Sequence, residues 1–385
     1  MTAALGIAML LLSTDATALP RFASRTGMPC QSCHVNPTGG GMRTEFGRDY
    51  YARAVLAMKA GEGRSVSSGA LTVGGDMRGA LIAVDTQPRV DPSTDEPFQL
   101  PELTTAFLMQ ADVYGHAELS ESVSAYVDYG VGSGSVEAFA IARAEPADAY
   151  VKAGSFVPPF GLKLPNHRTY IREEGLLFEP NLRETGVEVG AFPGNHSLAL
   201  AVFNGSGSSL NDDRKFAMSS RLDGGLRTRA IKLTAGGSVW VQPGGDNAGG
   251  IDTRTLELRT GGYVLSTVGP FTYLGELDHR HHRDRGQDTL VRALAAYNEL
   301  DLLATQGLDL QLLLEWFDPD MGLAPNTLTR VGGGFEFFPS PGLELRLLVR
   351  HSFGDVEIAS QDPRTFFTAA SAGTNEALFF VHVFL

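Results

Sequence analysis

The chain has 385 residues, with 31 basic and 44 acidic side chains and a formal net charge of −13. That balance disfavours a nucleic-acid partner, which would call for a basic face. With 45 glycines, 22 phenylalanines and a mean hydropathy near zero, the composition suits a β architecture with one apolar and one wet face.

Residues 1–18 read as an export signal. Ala3 to Leu12 is a short apolar run and Ala16-Thr17-Ala18 a small-x-small cleavage site, although no Lys or Arg precedes the run. Beyond it no apolar run approaches the ~20 residues of a membrane-spanning helix. Entry into a membrane therefore requires a closed barrel, because open sheet edges cannot face lipid.

Residues 19–65 hold the motif with the clearest chemistry. Cys30-x-x-Cys33-His34 contains both cysteines of the chain, with an imidazole directly after them. This is the attachment pattern for one covalent c-type haem: each thiol bonds one vinyl group and the histidine ligates the iron. Export agrees with it, since this haem is attached outside the cytoplasm. The rivals are weaker. A structural zinc site needs four ligands, a redox pair needs a thioredoxin-like βαβ setting, and a disulfide here would close a very short loop. Met42 and Met58 are the candidate sixth ligands, with His116 on a predicted inward face. Phe46, Tyr50, Ala54 and Met58 recur every fourth residue and predict a short helix with one apolar packing stripe, ending near Gly61.

From residue 66 to 385 the period is two. Leu103, Thr105, Phe107, Met109, Ala111, Val113, Gly115, Ala117 and Leu119 are predicted to share one outward face of a strand, with Gln110, Asp112, Tyr114, His116 and Glu118 inside. Similar runs recur to the C-terminus. Pro339-Ser340-Pro341-Gly342 and Thr305-Gln306-Gly307 read as tight hairpins. Residues 85–101, 204–215, 243–252, 280–288 and 355–364 read as longer polar loops. The closing EALFFVHVFL places Ala377, Phe379, Val381, Val383 and Leu385 on one face. The expected fold is all-β: a transmembrane antiparallel barrel of ~16 strands, with the haem segment and its small helix lodged as a plug. The competing reading is a soluble exported β-sandwich whose two cysteines form a disulfide.

On LPRFASRTGMPCQSCHVNP (Leu19–Pro37) and the later Phe46-Gly47-Arg48, the N-terminal segment resembles the fused monohaem cytochrome–porins of iron-oxidising bacteria. The resemblance implies that Cys30 and Cys33 carry the haem and His34 ligates it. It also implies a barrel of about sixteen strands in the outer membrane of a Gram-negative cell. Electrons would pass from extracellular ferrous iron to a periplasmic c-type cytochrome or other soluble carrier. Gly39-Gly40-Gly41 and Asp49-Tyr50-Tyr51 depart from that pattern, which bears on the substrate more than on the haem. VKAGSFVPPFGLKLPNH (Val151–His167) is similar to a stretch of phosphate-selective porins, and a diffusion porin with a haem- or disulfide-bearing plug is the alternative function.

Two further groups stand out. In DHRHHRDR (Asp278–Arg285), His279 and His281 share a strand face and form a candidate metal pair, against the simpler reading of a solvated loop. Arg168, Arg172, Glu173 and Glu174 are candidate lumen residues.

Overall fold

The computed structural model describes residues 20–61, 66–86, 89–90, 97–98, 102–164, 166, 168–172, 176, 182–207, 210–245, 247–248, 251–323, 326–354 and 373–385. The predicted export segment, Glu173 and Glu174 lie outside the described residues.

One sheet of 17 strands dominates; Val66–Ser68 is a three-residue stub, and the other sixteen close into an antiparallel barrel. They are β1 Leu71–Thr86, β2 Leu103–Glu118, β3 Val123–Gly130, β4 Val136–Ala144, β5 Ala149–Phe156, β6 Glu184–Ala191, β7 His196–Phe203 and β8 Ala217–Arg227. The second half is β9 Ile231–Gly244, β10 Thr255–Val268, β11 Phe271–Asp284, β12 Thr289–Thr305, β13 Leu308–Asp318, β14 Leu328–Ser340, β15 Leu343–Gly354 and β16 Thr374–Phe384. β1 pairs with both β2 and β16, which closes the ring and leaves no edge.

The wall is inverted relative to a water-soluble protein. Along β13, Asp309, Gln311 and Glu315 are buried while Leu310, Leu312 and Leu314 are exposed. Strand periodicity alone puts them on opposite faces. Only a lipid solvent outside and a polar lumen inside make that arrangement favourable. β16 behaves likewise, with Glu376 and His382 inside and Val381 and Val383 outside.

The continuous outward face predicted for β2 is corrected by a bulge. Arg78 pairs with Gln110 and Gly79 with Leu108, so Met109 is the extra residue. Met109 and Gln110 are both buried, and the faces exchange there. Phe107 and Met109 therefore turn inward, whereas Ala111, Val113, Gly115 and Ala117 keep the predicted outward face. The polar run after 280 is also not a loop until Asp284: Arg280 and His282 continue β11 into the lumen and both meet Glu257.

The two ends of the barrel differ. Turns 119–122, 145–148, 192–195, 228–230, 269–270, 306–307 and 341–342 lie at one end, and Gly307 and Gly342 adopt the left-handed backbone that such tight reversals need. Segments 87–102, 157–183, 204–216 and 355–373 join strands at the other. Short periplasmic turns and long extracellular loops are the outer-membrane pattern.

The described residues after β5, 157–164 and 168–172, fold back into the lumen, where Tyr170 and Ile171 are fully buried. The Tyr170 N–H donates to Glu315 Oε2 at 2.8 Å, and Arg172 pairs with Glu276 at 3.0 Å and Asp278 at 3.2 Å.

Candidate functional site at the short-turn mouth

The N-terminal segment enters the lumen from the short-turn end. Helix α1, Pro20–Thr26, starts on a proline, whose missing N–H costs nothing there, and stops before left-handed Gly27. Its charges point into the wall. Arg21 pairs with Glu299, Asp301 and Glu336, and Arg25 with Asp309. Farther along, Asn36 donates to Glu137 and accepts from Lys152, and Lys163 of the infolded loop donates to Gly39 O at 2.8 Å.

After α1 come a 3-10 turn, Cys30–Ser32, and a helix over Phe46–Leu56 wound with i→i+5 hydrogen bonds, as in Ala57 N–H to Ala52 O. The wider winding rotates the packing face away from the predicted stripe. Tyr51, Ala52 and Leu56 pack beside Phe22, Phe338 and Phe384. Tyr50, Ala54 and Met58 of the expected stripe are exposed instead.

These elements enclose a cavity of about 410 Å³. Cys30, Cys33 and His34 all line it, together with Arg43, Tyr51 and Lys163. Asp148, Gly194 and Asn195, from the short turns, mark its opening at that end. Both thiols are free and partly buried. Burial pushes the Cys33 thiol up to about 11, reinforced by Cys30 and opposed by Arg43. Burial, then Arg43 and Lys163, pull His34 down to about 3, so its imidazole is neutral. The buried His34 Nδ1 has no hydrogen-bond partner. Two thiols and a neutral imidazole on one cavity make a donor set able to hold a group through two thioether bonds and one nitrogen ligand.

Other expected residues lie elsewhere. Met42 is buried with Val35, Tyr114 and Tyr126, and Met58 is 40% exposed at the end of the helix; neither lines the cavity. Met28 does. His116 faces inward on β2, also away from the cavity. His279 and His281 share a face of β11 as expected, but it is the outward one. Among the described residues no three of His, Cys, Asp and Glu cluster to hold a metal ion. Arg168 pairs with Glu376 in the lumen. Sequence reading missed Arg43, Lys163 and His382. The last lines the cavity with its ring held between Asp76 and Glu344. Arg43 reaches His34 through a local antiparallel bridge, while Lys163 and His382 come to residues 30–34 only through barrel closure.

No protein-family model and no curated protein matches the sequence. Solved structures do. OmpT of Vibrio cholerae is similar with a TM-score of 0.55 at 12% identity, over 84% of this chain and 100% of that one. The outer membrane channel DcaP of Acinetobacter baumannii is similar with a TM-score of 0.57 at 11% identity, over 83% and 99%. An anion-selective porin from Comamonas acidovorans gives 0.53 at 9%, over 82% and 99%. The chain has the fold of an outer-membrane porin. This porin barrel, with its apolar outer belt, sits in the outer membrane of a Gram-negative cell. Its lumen holds both an infolded loop and an N-terminal plug.

Proposed function

We propose that this porin-fold protein carries one covalent c-type haem on its plug and exchanges electrons at the periplasmic mouth. One observation carries the reading: Cys30, Cys33 and His34 line a single cavity that opens at the short-turn end. Cys30 and Cys33 would hold the haem through one thioether each, a thiol addition to a vinyl group that keeps its proton in the product and needs no oxidant. His34 offers a neutral ring nitrogen to the iron. The bound haem supplies one-electron exchange at iron. The wall and Tyr51 keep lipid and bulk water off the buried side of the cavity, and the open side leaves access for a soluble periplasmic carrier such as a c-type cytochrome. Extracellular ferrous iron as the donor rests on the resemblance of residues 19–37 to the iron-oxidiser family.

A visible spectrum of purified outer membranes tests this. Reduced c-type bands on adding ferrous iron support both haem and donor. Bands that appear only with a strong reductant keep the haem and remove iron. A colourless chain removes the haem. The second reading, a diffusion porin, is favoured by the fold similarity to outer-membrane channels. Large, steady single-channel conductance from the full chain would select it.

A further inference from the structure

We infer that Gly47 is a positioning residue: it lets the chain after the triple-glycine turn close against Cys33 and hold the two thiols and His34 toward the cavity. The inference rests on the haem reading for what the thiols carry, but the clasp itself is a property of this chain.

The geometry is a small hairpin. Val35 N–H donates to Met42 O at 3.0 Å, His34 and Arg43 form an antiparallel bridge, and Thr44 N–H donates to Cys33 O at 2.9 Å. Gly39, Gly40 and Gly41 are all left-handed and reverse the chain between these pairs. The returning arm then grips the motif. Thr44 Oγ1 donates to Ser32 O at 2.8 Å and accepts from Gly47 N–H at 3.2 Å. Gly47 lies directly on Cys33: a Cβ there would sit 2.9 Å from the Cys33 Cα and 3.0 Å from its carbonyl carbon, and nearer still to its carbonyl oxygen. All three are backbone atoms, which cannot swing aside as a side-chain tip can. Gly47 is not among the left-handed glycines, so the need is for space rather than for backbone freedom. A glycine one residue into a helix weakens it, and the close approach explains why that cost is accepted. It also gives the Phe46-Gly47-Arg48 motif a physical role that the sequence leaves unassigned.

The test uses the full chain in outer membranes, produced once with and once without haem attachment, as wild type, Gly47→Ala, Gly47→Val and Thr44→Val. Ala54→Val, on the exposed face of the same helix, is the control. Heat-modifiable gel mobility reports the barrel. In the haem-free chain, alkylation of Cys33 by N-ethylmaleimide, followed by mass spectrometry, should run about tenfold faster in the Gly47 variants. It should be faster by a smaller factor in Thr44→Val and unchanged in the control. In the haem-attached chain, the Gly47 variants should lose double attachment, seen as a shift of the reduced α band toward the single-thioether position. Unchanged labelling and two intact thioethers in Gly47→Ala and Gly47→Val would overturn the inference. If those two variants fail to assemble, Thr44→Val decides in the same way, with wild-type labelling counting against the clasp. A colourless wild type with fast-labelling variants would remove the haem reading and leave the clasp standing.

Discussion

Arg21 Nη2 lies 2.6 Å from Glu336 Oε2, and its Nη1 lies 2.8 Å from Glu299 Oε1. One guanidinium from the plug thus pairs with carboxylates on β12 and β14, with Asp301 the third at 3.3 Å. The fork geometry of arginine suits several acceptors at once. Removing the cation would leave three buried carboxylates without it. Arg21→Ala is expected to weaken plug docking by about 3–5 kcal/mol, the usual cost of breaking a buried ion pair from one side. Faster proteolysis of the N-terminal segment and higher single-channel conductance, with unchanged barrel mobility, are the measurements. Unchanged protection would mean that the plug is held elsewhere.

The two cysteines should be separable from the barrel. Cys30→Ala with Cys33→Ala is expected to give a colourless chain that still assembles, because neither thiol takes part in the strand ladder. His34→Ala should keep the thioether attachment while altering the iron spectrum. Haem-dependent peroxidase staining of denatured chains and a visible spectrum check both. Haem staining of the double variant would place the attachment outside this motif.

The contribution of Lys163 to plug docking should strengthen at alkaline pH. Burial first, and then Lys152 and Arg221, hold Lys163 down at about 8, against Glu137 and Glu188. A lysine with a lowered folded value is penalised while it is charged, and the penalty fades as pH rises from about 8 toward the free value near 10.5. Protease protection of residues 20–61 in wild type should therefore rise across that window relative to Lys163→Met, a comparison in which the opposite contribution of the Cys33 thiol, pushed up to about 11, cancels. A fall relative to Lys163→Met would reverse the assignment.

The lipid belt makes a sharp contrast between neighbours. Leu312 is 63% exposed on the outer face of β13, and Gln311 beside it is buried in the lumen. Leu312→Arg is expected to destabilise the inserted barrel by about 2–4 kcal/mol if it sits near the bilayer midplane. Gln311→Glu should cost far less, since Arg346 lies beside it at 3.3 Å. Urea unfolding in lipid vesicles reads both, and equal losses would contradict the outward placement of Leu312.

Much of the wall was legible in the residue order because strand periodicity is local. Leu310, Leu312 and Leu314 against Asp309, Gln311 and Glu315 specify two faces without reference to any other strand. The same logic failed at Met109, because a bulge depends on how β1 and β2 meet and leaves no mark in one strand. It failed again over Phe46–Leu56, where the helix winds wider than the assumed period and presents Tyr51 and Ala52 to Phe338 and Phe384.

By itself, then, the sequence determined the alternating wall, the lengths that separate short turns from long loops, and the pairing of Cys30 and Cys33 with His34. Each of these is written within a few neighbouring residues. Only the closed barrel decided what surrounds that motif. Lys163 and His382 are distant in the chain, and burial and charge act through space, so their approach to the cavity beside His34 exists only once the barrel has closed, whereas Arg43 arrives through the local hairpin that pairs it with His34.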